Sequence, residues 1–234
     1  MSARPVILGS RSPRRRELLR LLVPDERLVV RPPRSSDEAG FDELRDRNAI
    51  AARLLDVVRA KQQDVDAQLT DAERRDALAL VADTIIVAAE PDGSPVVLGQ
   101  PPETPDGNAV VQRWFERYYS GRTHEAWTGV CLWTGAETVA AEIVSTAVTF
   151  RAVSPDEVEW YLTTGEPRGK AGGYALQGLA SLFVARVEGS LTNVVGLPLE
   201  VVRRVLATWD ASGEHPLPAI GAPPWSEERG PSDP

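Results

Sequence analysis

The sequence predicts an α/β or α+β protein built on a mixed sheet. Three observations carry that reading. A short β-branched run, Pro5 to Gly9, leads directly into a helical pattern. The run Leu78 to Ala89 is almost continuously apolar, as a strand buried on both faces is. Two further β runs, Glu125 to Thr134 and Glu137 to Phe150, are joined by a Gly135-Ala136 turn.

Taken in order, Pro5 to Gly9 is a strand, and Ser12 followed by Pro13 is a helix start, with Leu18, Leu19 and Leu22 on one face. Arg27 to Val30 reads as a second strand before a Pro-rich loop. The apolar spacing from about Phe41 to Val65 suits an amphipathic helix. Asp66 to Asp76 is polar and reads as an exposed extension. The turn Pro91-Asp-Gly-Ser94 returns the chain from the apolar strand into Val96 to Gly99. A helix over Asn108 to Tyr119 precedes the two β runs, and Ser154-Pro155 opens another to about Thr164, with Asp156 and Glu157 favourably placed in its first turn. A Gly-rich stretch from Gly165 to Gly178, a strand from Ser181 to Val187 and a helix from Pro198 to Trp209 complete the domain. The expected division is a folded domain over 1–210 and a tail over 211–234, whose Pro, Gly, Ser and Glu content reads as disordered.

Composition narrows the function. The 234 residues hold 26 Lys and Arg against 34 Asp and Glu, a formal charge of −8, which argues against a nucleic-acid-binding surface. A single cysteine, Cys131, forms no internal disulfide and reads as a core thiol. CxxC, HExxH, GxSxG, GxxxxGK[ST] and GxGxxG spacings are all missing, so zinc, serine-hydrolase, P-loop and dinucleotide sites lack support. With no apolar run of bilayer length, the expectation is a soluble, cytoplasmic protein with no membrane partner.

Two features resist a purely structural reading. Arg14, Arg15 and Arg16 crowd the first turn of a helix whose dipole disfavours cations there. With Ser10 and Ser12 they make a cradle for an oxyanion or phosphate; a solvated basic face is the alternative. Asp83 interrupts the apolar run, where a carboxylate is costly unless it is paired, metal-bound or sited at a cleft. An arginine neutralising it is the structural alternative. Lys61, Glu38, Gln177 and His124 are each unremarkable alone.

Together with their surroundings these residues resemble the Maf family. The segments Leu8-Gly-Ser-Arg-Ser-Pro-Arg-Arg-Arg-Glu-Leu-Leu19, Ala82-Asp-Thr84, Gly99-Gln-Pro101, Ser120-Gly-Arg-Thr-His124, Thr149-Phe-Arg151, Gly172-Gly-Tyr-Ala-Leu-Gln-Gly178 and Asn193-Val-Val-Gly-Leu-Pro198 follow the family's order from about residue 5 to 208. The resemblance implies a mixed twisted sheet with flanking helices, two lobes around a central cleft as in ITPase-like proteins, and often a homodimer. It further implies hydrolysis of a nucleoside triphosphate to monophosphate and pyrophosphate with Mg²⁺ or Mn²⁺. Asp83 matches the family's proton acceptor, and Ser10, Arg14 and Arg15 match its phosphate-loop residues. Lys61 matches its cleft lysine. Glu38 matches its loop carboxylate, a metal ligand together with Asp83. Arg14, Thr84 and Gln177 match the trio of the dTTP and UTP branch rather than the Trp, Gln and Glu of the 7-methyl-GTP branch. The family's hairpin lysine is Gln100 here, an amide that donates hydrogen bonds but brings no charge to a triphosphate. A nucleotide-binding regulatory protein linked to division arrest is the alternative reading.

Overall fold

The computed structural model describes residues 4–35, 40–104, 106–135 and 137–209. Seven strands form one mixed sheet: β1 (Val6–Leu8), β2 (Leu28–Val30), β3 (Leu78–Ala89), β4 (Pro95–Leu98), β5 (Thr123–Thr134), β6 (Glu137–Phe150) and β7 (Val184–Glu188). Their order is β2-β1-β3-β5-β6-β7, with β4 also on β3. β1 runs parallel to both β2 and β3, and the remaining pairs are antiparallel. The mixed α/β architecture is therefore as the sequence predicts.

The detail that shapes the molecule lies along one edge of β3. Its other edge is paired with β5 from Ala79 to Val87. On the first edge β1 pairs only as far as Leu80, and β4 begins only at Ile86. Between them this edge of β3 has no neighbouring strand, so the sheet has a gap beside Ala82, Asp83 and Thr84.

Helices cover both faces. The first, α1 (Pro13–Leu19), starts where Ser12 Oγ accepts from Arg15 N–H at 3.4 Å with Pro13 at its first position. The second, α2 (Arg47–Asp66), begins later than its apolar spacing suggests. Asp46 caps it by accepting from Ala49 N–H at 2.9 Å, while Phe41 and Leu44 precede the cap and still pack on the Ile50, Leu54 and Trp127 cluster. The polar segment expected to be an extension contains α3 (Asp71–Asp76), closed by a capping box between Thr70 and Glu73. Arg31 binds Glu73 with both nitrogens at 2.8 Å and, with the Thr70 N–H, holds that carboxyl down at about 2.

The helix expected over 108–119 is α4 (Gly107–Trp114) followed by a π turn, Phe115–Tyr119, which buries Phe115, Tyr118 and Tyr119. These rings join Phe150, Tyr161 and Phe183 in an aromatic core, with Phe115 edge-on to Tyr119 at 5.3 Å and to Phe183 at 5.5 Å. After α5 (Pro155–Thr163), a 3₁₀ segment over Leu179–Phe183 delays β7 beyond the expected strand start. A short helix not read from the sequence, α6 (Leu191–Val195), is capped by Ser190 and ended by Gly196, whose φ is 124°. The last helix, α7 (Leu199–Trp209), packs Val201, Val202, Val205 and Leu206 on the β1–β3 face. Cys131 is a buried core thiol, pushed up to about 11 chiefly by burial. No helix among the described residues is long and apolar enough to cross a membrane. The 211–234 tail and Glu38 lie outside the described residues.

Candidate active site

A cavity of about 390 Å³ opens at the sheet gap. Its wall contains Ser10, Arg14, Arg15, Lys61, Asp83, Thr84, Gln100 and Gln177, the described residues that the family resemblance assigns to the site, whereas Arg16 and His124 are not part of it. Successive side chains of β3 point to opposite faces, yet Asp83 and Thr84 both border the cavity, because the bare strand edge lets it reach both sides.

On one face Asp83 meets α2. Lys61 Nζ lies 2.5 Å from Asp83 Oδ1, with 16% and 13% of the two side chains exposed. The approach depends on Gly129, the cross-strand partner of Asp83. A Cβ there would lie 2.9 Å from Val58 and 3.1 Å from Leu54, so α2 rests directly on the sheet and Lys61, nearly one turn beyond Val58, reaches the carboxylate. The partner is thus Lys61, not the arginine given as the structural alternative. Asp83 Oδ2 makes no hydrogen bond among the described residues.

On the other face Thr84 Oγ1 lies 2.9 Å from Thr128 Oγ1 and accepts from Arg15 Nη2 at 3.1 Å. Arg15 also donates to Gly196 O at 2.7 Å and Ser10 Oγ at 3.4 Å. Thr128, fully buried, donates to Asn193 O at 3.1 Å. Ser10 Oγ accepts from Ser12 N–H at 3.1 Å, which curls the loop between β1 and α1 around the cavity. Arg15 is therefore braced by three elements, whereas Arg14 makes no hydrogen bond or ion pair among the described residues.

Arg11 donates to Pro33 O at 2.6 Å and to Arg34 O at 3.1 Å. Asp64 accepts from the N–H groups of Arg34 and Ser35, each at 2.9 Å. These bonds fix the loop stem at the cavity rim, where Pro33 and Ser35 form part of the wall. Gln100 and Gln177 are exposed at the wall and make no hydrogen bonds among the described residues. Sequence reasoning missed Lys170 and Tyr174, which also line the cavity. Lys170 sits in Gly169-Lys-Ala-Gly-Gly173, which reads as turn chemistry. Tyr174 OH pairs with His124 Nε2 at 2.9 Å, a buried contact that accounts for His124 structurally.

Among the described residues no three His, Cys, Asp or Glu side chains cluster as a metal cage. A hard divalent cation of the Mg²⁺ type needs no such cage, because it binds through one or two carboxylates plus substrate phosphates and water. Asp83 lines the cation-rich cavity and its Oδ2 makes no hydrogen bond among the described residues, which fits that donor set.

Fold and site define an α/β protein with a cation-lined cleft at a break in its sheet. A family model described as Maf-like protein matches residues 5–209, and the chain belongs to the Maf family. It is 38% identical over 229 residues to the dTTP/UTP pyrophosphatase of Anaeromyxobacter sp. (strain Fw109-5), covering 93% of this chain and 98% of that one. It is 43% identical over 206 residues to the dTTP/UTP pyrophosphatase of Moorella thermoacetica, covering 86% and 93%. Among solved structures, a nucleoside-triphosphatase / dITP/XTP pyrophosphatase from Mycobacterium abscessus overlaps 69% of this chain and 95% of its own, with 11% identity and a TM-score of 0.32.

Proposed function

We propose that the protein hydrolyses nucleoside triphosphates, dTTP and UTP foremost, to the monophosphate and pyrophosphate. The observation that carries this reading is an inversion of charge. Among the described residues the cavity is walled by Arg11, Arg14, Arg15, Lys61 and Lys170 against one acid, Asp83, in a chain of net charge −8. Such a surface draws in a polyanion, and its volume suits a small molecule. The pyrimidine substrates are those named for the relatives.

In this reading Arg14, Arg15 and Lys61 neutralise the polyphosphate as charge moves through it, and Ser10 holds Arg15 in place. Asp83 Oδ2 takes the proton of the attacking water. The water oxygen bonds to the α-phosphorus, the bond from that phosphorus to the bridging oxygen breaks, and pyrophosphate departs with the electron pair. Lys61 on Oδ1 orients the carboxylate so that the other oxygen faces the water. Asp83 with Glu38 would hold a Mg²⁺ or Mn²⁺ ion, which when bound screens phosphate charge and acidifies water. Gln177 reads the pyrimidine edge, which offers both donors and acceptors, and Thr84 contributes by fixing Arg15.

The test is pyrophosphate release from a panel of nucleoside triphosphates with Mg²⁺. Highest kcat/KM for dTTP and UTP is expected. Binding of nucleotide with no release from any member of the panel would overturn the reading.

A further inference from the structure

The cations of the cleft are not equivalent. Arg11 is committed to the carbonyls of Pro33 and Arg34, Arg15 to Gly196, Thr84 and Ser10, and Lys61 to Asp83. Arg14 and Lys170 are left without a carboxylate among the described residues. Among the described residues Lys170 Nζ donates only to the main-chain oxygen of Glu166.

The carboxylate that would neutralise Lys170 is turned away. Glu166 accepts from Leu179 N–H at 2.7 Å, Ala180 N–H at 3.2 Å and Tyr161 OH at 3.1 Å. Gly178 passes so close that a Cβ would lie 2.3 Å from Glu166 Oε2. The Glu166 side chain is thereby locked under the 3₁₀ segment, while its carbonyl steers Lys170 toward the cavity. Burial, followed by the charge of Arg14, holds the Lys170 ammonium below its ordinary pKa, against the opposing pull of Glu166. Two like charges held beside one cavity are relieved by an anion placed between them.

We propose that Lys170, acting with Arg14, holds the two phosphates that leave as pyrophosphate. This rests on the reading of the protein as a nucleoside triphosphate pyrophosphatase. The assignment follows from charge. Lys61 and Asp83 serve the α-phosphorus, whereas the departing pair gains negative charge as the bridging oxygen keeps the electrons of the broken bond. Two uncommitted cations match that developing charge.

The experiment is calorimetric titration of the full chain with inorganic pyrophosphate and, separately, with UMP, alongside steady-state kinetics. Lys170→Met is expected to weaken pyrophosphate binding about 10- to 100-fold, the loss of one charge-assisted contact, and to lower kcat/KM similarly. UMP affinity is expected to stay within about twofold, and Lys170→Arg to recover most of the loss. Arg168→Ala, which removes an exposed charge from the same loop, is the control expected to change nothing. Equal weakening of UMP and pyrophosphate, or pyrophosphate binding unchanged in a Lys170→Met protein with wild-type melting temperature, would overturn the proposal. If the wild type binds pyrophosphate through Lys170 yet hydrolyses no triphosphate, the subsite stands and the proposed activity falls.

Discussion

Lys61 Nζ and Asp83 Oδ1 meet at 2.5 Å, joining the third quarter of α2 to the middle of β3 at the point where one sheet edge is bare. The bond engages Oδ1 and leaves Oδ2 without a hydrogen bond among the described residues. Lys61→Met removes a charge-assisted bond and strands a half-buried carboxylate, so a stability loss of about 1.5–3 kcal/mol is expected. Turnover should fall by about 10- to 100-fold as Asp83 loses its orientation. Chemical denaturation and pyrophosphate release check the two effects, and a variant unaffected in both would show the pair to be incidental.

Gln100 lines the same cavity with its amide unengaged among the described residues. Replacing it by lysine adds a cation to a cavity already lined by cations without disturbing a buried contact. Gln100→Lys is expected to lower KM for the triphosphate by about 3- to 10-fold and to change stability by less than about 0.5 kcal/mol. Steady-state kinetics in low salt make the comparison, and an unaltered KM would place residue 100 away from the phosphates.

His124 is 2% exposed, its ring 4.5 Å from Tyr119 and 5.0 Å from Phe150, and burial pushes its pKa down to about 3. Its Nδ1 has no hydrogen-bond partner among the described residues. An unfolded histidine takes up a proton below about pH 6.5, whereas the folded one does so only near 3. Between those values the unfolded state binds more protons, so stability falls as the pH is lowered, by up to about 1.4 kcal/mol per unit. His124→Gln removes this slope and keeps a partner for Tyr174. Urea denaturation across that range should give a flatter curve for the variant, and parallel curves would contradict the assignment.

Gly9 follows β1 where the chain grazes β3: a Cβ would lie 2.6 Å from Val81 Cγ1 and 2.8 Å from Val65 Cγ2. Gly9→Ala is expected to cost about 1–3 kcal/mol through overpacking. In a Val81→Ala background the cost should shrink by at least about 0.5 kcal/mol, since one of the two clashes is gone. Equal costs in both backgrounds would mean that the strain is taken up elsewhere.

Much of this was legible in the residues. Asp83 stands out because a carboxylate in an apolar strand needs a reason, and Ser12-Pro13 and Ser154-Pro155 announce their helices through local capping chemistry. What escaped the sequence is non-local. Nothing near Leu80 or Ile86 says that β1 stops and β4 starts there, leaving the edge bare between them. Gly129 sits in a β run with no local cue that α2 must pass over it. Lys170 hides among glycines because its direction depends on Glu166, whose carboxylate is tied to Leu179 and Ala180, thirteen and fourteen residues on. The α3 helix is a different case: Thr70 and Glu73 spell a capping box that polarity alone obscured.

The central claim is that the free oxygen of Asp83 accepts the proton of the attacking water, and Asp83→Asn tests it most directly. An amide keeps the size and the cleft but does not act as the base. Pre-steady-state pyrophosphate release with saturating dTTP and Mg²⁺ should slow by about 10²- to 10⁴-fold, with the melting temperature within a few degrees of wild type. Release at the wild-type rate by a folded Asp83→Asn protein would contradict the account.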